Sequence, residues 1–179
     1  MRPMNLELSP ESAVFVDLRA TGFLRAIGHS PTMRARPEPA TFSLPEGAAG
    51  DVAIDVGFRV EAIEPAPGLS LSDREKMLDN LRGPDVLDVA RHPRVDFHGR
   101  YRGDLEGGDL SGELVVRGRT HSLVMVVRVS RDGEARVARG TWEGKLTELG
   151  VRPFKALFGA LRLDDWARLR LEARFVERG

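Results

Sequence analysis

The sequence predicts an all-β, antiparallel fold with a short helical insertion. Three observations carry this. Apolar and polar residues alternate with a period of two over most of the chain. Glycine-bearing turns punctuate the alternating runs. Only one stretch changes to a helical period. Strands with one wet face belong to antiparallel sheets. About eight such short strands imply a sandwich or a closed barrel, and closure removes exposed edges.

The elements follow in chain order. "AVFVDLRATG" reads as a first strand and "TMRARPEPATFSL" as a second, with Pro37 and Pro39 making it irregular or an edge. In "DVAIDVGFRVEA", Val52, Ile54, Val56, Phe58 and Val60 share one face, and Asp51, Asp55, Arg59 and Glu61 the other. "LSDREKMLDNLRG" is the helix. Ser72 and Glu75 form a capping box, Met77, Leu78 and Leu81 form the stripe, and Gly83-Pro84 ends it. "DVLDVARHP" adds a turn or two behind Asp85, carrying the helical excursion over 72–91. His92 before Pro93 is pushed to extended backbone, which redirects the chain into a strand with Val95, Phe97 and Tyr101 on one face.

Gly107-Gly108 then signals a hairpin. Leu114 and Val116 lead to a turn around Gly118 to His121, and Leu123, Met125, Val127 and Val129 return. "RDG" at 131–133 connects to "EARVARGTWEG". "RPFKALFGAL" predicts a short apolar helix with Pro153 in its first turn. Asp164-Asp165 reads as a turn before the last strand. In that strand Ala167, Leu169, Leu171, Ala173 and Phe175 oppose Arg168, Arg170, Glu172 and Arg174.

Composition narrows the function classes. The 179 residues suit one domain with a sizeable core, residues 12–179 behind an N-terminal extension of 1–11. Lysines and arginines number 27 and acids 27, so no global field attracts nucleic acid. Absence of cysteine excludes disulfides, thiolate metal sites and a cysteine nucleophile. No apolar run reaches the length of about 18 residues that a transmembrane helix needs. "MRPMNLELSPES" lacks the apolar centre of a secretory signal, so the expected location is the cytoplasm, or the periplasm if a leader has been trimmed.

Polar site candidates are weak. His29, His92, His98 and His121 show no metalloprotease spacing, and turn or surface roles outweigh a two-histidine metal site. Ser30 beside His29 lacks the strand–turn–helix elbow of a nucleophile. Asp164-Asp165 and Asp51/Asp55 read as solvated. "RARP" and "RGRTH" have no aromatic stacking platform beside them. No metal, cofactor or catalytic residue is expected. What remains is the inward apolar face. It either packs a solid core or surrounds one elongated ligand. Alternation alone favours the solid core, whereas Met, Leu and Phe in segments near a barrel mouth suit a lid.

The order of phrases resembles a known family. Asp85, Leu87, Asp88, Val89, His92, Pro93, Val95 and Phe97 match its helix-to-strand passage. Gly112, Leu114, Val116, Gly118, Thr120 and Val124 match its hairpin. "ELGVRPFKALFGALRLDDWARLRLEARF" is similar to its ending, and "GFLRAIGHSPTMRA" to the opening of one branch. This is the YceI-like, or polyisoprenoid-binding, family, and the likeness extends over residues 12–176.

The resemblance implies a single antiparallel eight-stranded lipocalin-like barrel that holds a long isoprenoid or prenyl-quinone-like chain without catalysis. By position, the ligand-lining candidates are Phe58, Phe97, Leu114, Val116, Leu169 and Leu171 on strands, with Phe154, Leu157 and Phe158 beyond them. A head group would meet His92, Arg94 or Arg152 near the mouth. The first alternative is a structural or interaction barrel with a filled core, dimeric through an edge strand. The second is a small hydrolase or lyase using His29, His92 or His98.

Overall fold

Burial alternates along the long strands as the sequence does, most regularly over Arg119–Asp132. The computed structural model describes residues 4–21, 30–44, 50–153, 155–156 and 161–178. Among them are twelve strands of one antiparallel sheet: β1 (Met4–Leu8), β2 (Ala13–Thr21), β3 (Thr32–Ala35), β4 (Thr41–Leu44), β5 (Gly50–Arg59), β6 (Glu64–Pro65), β7 (Arg94–Gly103), β8 (Gly107–Val116), β9 (Arg119–Asp132), β10 (Ala135–Gly144), β11 (Lys155–Ala156) and β12 (Leu161–Arg178). In β9, Leu123, Met125 and Val127 are buried while Val124, Val126 and Arg128 are exposed. One face builds the core and the other is wet.

The strand order is β5-β7-β8-β9-β10-β12-β2-β3-β6. Beside β2, β12 also pairs with β1, and β1 pairs with β4. Because β12 is 18 residues long, β1 and β2 both fit along its one flank. The sheet is therefore a curled half-barrel. The ladders among the described residues do not close it as the expected eight-stranded barrel, since β5 has a ladder with β7 alone. The uncovered side of β5 receives one backbone bond, from Glu38 N–H to the Gly57 carbonyl at 2.8 Å.

Several local expectations are corrected. The second predicted strand is two, β3 and β4, because Pro37 and Pro39 interrupt the ladder between them. The turn after β8 is Arg117-Gly118, shorter than expected. Both residues have positive φ (51° and 70°), the geometry that matches the twist of a two-residue hairpin.

The helix α1 spans Leu71–Arg82, and its N-cap is Ser70, whose Oγ accepts from the Asp73 N–H at 3.1 Å. Ser72 instead lies inside the helix. Gly83 does end it, its N–H bonding the Asp79 and Asn80 carbonyls. Residues 84–92 form turns rather than more helix, and Asp88 has φ 50°. His92 N–H bonds the Asp88 carbonyl at 2.8 Å before Pro93 delivers the chain to β7.

Lys155–Ala156 is a strand paired with β12, where a helix was predicted. Asp164 and Asp165 sit inside β12, at a register shift between Leu163 and Ala167. Asp165 uses this bulge to accept from the Thr147 N–H and hydroxyl, at 2.9 and 2.8 Å. It thereby fixes the short 3-10 turn Leu146–Leu149 against the strand.

Candidate functional site

The inward side chains of the curled sheet do not meet. They line a cavity of about 320 Å³. That is some ten times the ~30 Å³ share of one water molecule in the liquid. Val52, Ile54, Val56 and Phe58 line it from β5, Val95, Phe97 and Tyr101 from β7, and Leu110, Leu114 and Val116 from β8. Leu123, Met125, Val127 and Val129 contribute from β9, and Leu169, Leu171, Ala173 and Phe175 from β12. One end is floored by Leu81 of α1 with Val86 and Leu87 of the following turns.

Glycines keep the aromatic rings against the wall. The Phe97 ring lies across Gly99 and its cross-strand partner Gly112. A β-carbon would meet Phe97 Cζ at 2.6 Å from Gly99 and at 2.8 Å from Gly112. Tyr101 lies toward Gly103 in the same way, and Trp142 over Gly144, with β-carbon approaches of 2.7 and 2.5 Å. Each of these three aromatics thus precedes by two positions the glycine that makes room for it.

Six polar or charged residues reach the lining: Ser12, Tyr101, Asp104, Arg136, Arg152 and Glu172. Four are engaged within the wall. Ser12 Oγ donates to the Arg174 carbonyl and accepts from the Arg174 N–H. Tyr101 donates to the Asp104 carbonyl at 2.6 Å, and burial raises its pKa. Asp104 accepts from the Glu106 and Gly107 amides, which hold its carboxyl below the ordinary range. Glu172 accepts from Arg139. The side chains of Arg136 and Arg152 have no hydrogen bond or ion pair among the described residues.

A second cavity of about 380 Å³ adjoins the first, lined by Leu6, Phe175, Val176 and Glu177 with Arg131 and Gly133 to Arg136 of the β9–β10 connection. Leu6, Arg136 and Phe175 line both.

Phe58, Phe97, Leu114, Val116, Leu169 and Leu171, singled out from alternation, all line the apolar cavity. Phe154, Leu157 and Phe158 lie outside the described residues. Of the expected head-group contacts, Arg152 reaches the lining, but His92 and Arg94 do not. Arg94 is paired on the outer wall with Glu38 and Asp96. His98, also outside, bonds Asp55 at 2.7 Å. His29 lies outside the described residues. Sequence reasoning missed Arg136, although its place two residues before the inward-facing Ala138 marks it as a cation on the core face.

Fold and cavity together define a class, that of one curled antiparallel sheet wrapped around an apolar cavity. The YceI-like domain matches residues 23–175, and the chain belongs to the YceI-like family. That family is known for polyisoprenoid-binding barrel proteins, generally without enzymatic activity.

Among solved structures, BcnA of Burkholderia cenocepacia is similar at a TM-score of 0.63 and 16% identity, covering 92% of this chain and 96% of that one. The Campylobacter jejuni YCEI protein is similar at 0.53 and 10% identity, covering 92% and 81%. These likenesses establish a shared fold. No curated protein matches the chain. No helix among the described residues is long and apolar enough to cross a membrane.

Proposed function

We propose that the protein binds or carries an elongated apolar molecule, of polyisoprenoid or prenyl-quinone type, inside a closed β-barrel and without catalysis. The cavity carries this reading. Protein interiors are packed like organic crystals, with few voids larger than a water molecule. A void of about 320 Å³ in a wall of aliphatic and aromatic side chains is costly unless something fills it. Membership of the YceI-like family supports an isoprenoid as the filler.

Closure of the barrel is supported by strand arithmetic. β1 and β2 lie end to end along β12, and β3 and β4 lie end to end along β2 and β1. Counted as two interrupted strands, they join β5, β7, β8, β9, β10 and β12 to give eight staves. The Glu38–Gly57 bond then lies at the remaining seam.

Native mass spectrometry of freshly purified protein, followed by solvent extraction, tests the proposal. A discrete adduct that extracts as a prenyl chain or quinone is the expected result. Bare protein that also ignores added prenyl alcohols and quinones would overturn it in favour of a structural barrel.

A further inference from the structure

The cavity is apolar along its length, but its ends are not alike. At the end where β9 turns into β10, Arg136 stands on the inward face of β10, in register with Phe175 of β12 and Arg131 of β9. It is half-buried and lines both the apolar cavity and the adjoining one. The acidic residues reaching either cavity leave it unpaired. Asp104 is held by backbone amides and Glu172 by Arg139. Glu134 and Glu177, which line the adjoining cavity, form no ion pair with Arg136 among the described residues. A guanidinium drawn partly out of water without a counter-ion is unfavourable, and an anion entering beside it relieves that cost.

We propose that this junction is a head-group site for a single-chain amphiphile carrying one anionic group, a phosphate monoester or a carboxylate. Arg136 is the contact, and the chain runs into the apolar cavity. The proposal rests on the apolar-ligand reading above and adds the charge and the direction of the ligand. A guanidinium suits both anions because its fork of N–H donors matches paired oxygens. Leu6 and Phe175, shared by both cavities, would meet the first carbons of the chain.

Farnesol, farnesoic acid and farnesyl phosphate share one chain and differ in head group. Their dissociation constants are measured by displacement of a bound apolar fluorophore from the full chain, for the wild type, Arg136→Gln and Arg136→Lys. Either anion is expected to bind the wild type about tenfold more tightly than the alcohol, the scale of one charge-assisted contact. Arg136→Gln should bring that ratio to about one while leaving the alcohol unchanged, and Arg136→Lys should keep part of it.

The stronger of the two anions identifies the source, a prenyl phosphate or a carboxylic acid. Equal binding of all three by the wild type, or a ratio that survives Arg136→Gln in a variant with an unchanged melting curve, overturns the head-group site alone. If none of the three probes binds, the apolar-ligand reading falls with it. If Arg136→Gln fails to fold, the wild-type ratio and Arg136→Lys still decide. A wild-type anion preference that Arg136→Lys reduces but does not abolish assigns the contact to Arg136, whereas no preference in the wild type, or one that Arg136→Lys leaves unchanged, excludes it.

Discussion

Phe97 shows how one side chain can be buried without filling the interior. It is only 7% exposed, yet it lines the cavity because Gly99 and Gly112 let its ring lie flat on the sheet. Truncating it therefore removes a panel of wall rather than the keystone of a packed core. Phe97→Ala should cost less than the ~3–5 kcal/mol of a packed phenylalanine, measured by urea unfolding, and should alter ligand retention in native mass spectra. Gly99→Ala acts by the opposite route, crowding the wall instead of opening it. Its new β-carbon would lie 2.6 Å from both Phe97 Cζ and the Ser111 carbonyl oxygen. The resulting overpacking should cost about 1–3 kcal/mol.

The inward identity of Phe58, Phe97, Leu114, Val116, Leu169 and Leu171 was legible because a strand fixes it with a period of two. Whether those side chains meet was not legible, because that depends on ring direction and strand curvature. The clue was present in three phrases, Phe97-His98-Gly99, Tyr101-Arg102-Gly103 and Trp142-Glu143-Gly144, each an inward aromatic followed by an inward glycine.

Among the elements, α1 is held most by polar ties. None of its residues is fully buried, and Leu71 is 82% exposed. Its apolar anchors are Met77 and Leu81. Beside them, Arg74 bonds the Pro65 carbonyl and pairs with Glu64 at 2.9 Å, while Glu64 also pairs with Arg34 of β3. Both arginines hold the Glu64 carboxyl below its ordinary value, Arg34 the more strongly. Twelve residues make a marginal helix in isolation, so these ties and the cap decide its population.

Ser70→Ala should destabilise α1 by about 1 kcal/mol, whereas Ser72→Ala should change little. Glu64→Gln should cost about 1 kcal/mol, the pair being partly exposed. It should also raise amide exchange in 71–82 more than in β8 or β9. The stop at Gly83 was readable because glycine and proline act locally. The start was misplaced by two residues because two serines offer caps, and Ser70 is the one whose hydroxyl meets the Asp73 amide. β1 was missed for a different reason. Its five residues are short, and its partners β12 and β4 lie far along the chain. No local signal announces such a strand.

For the whole molecule, charge on the outer wall sets the response to acid. Asp17 is lowered mainly by its bond to Arg170, Asp132 by Arg174, Glu143 by Trp166 and Arg168, and Asp165 by the Thr147 amide. A carboxyl lowered in the folded state contributes stability above its unfolded value and loses it as pH falls through the folded one. The melting temperature should therefore hold steady above the ordinary values of 4.5 for Glu and 3.8 for Asp, and decline below them. Salt should blunt the exposed contributions.

The proposed ligand would act through mass action. A prenyl compound at about 100 times its dissociation constant should add ~2.7 kcal/mol of stability, read as a raised melting temperature that falls after delipidation. The flat-lying aromatics carry a last consequence. If glycines park the rings, then glycines set the width of the cavity, and a single methyl at Gly99 would swing the Phe97 ring inward like a shutter. The size of molecule that the cavity admits would then be set, or engineered, through its smallest residues, leaving every hydrophobic side chain in place.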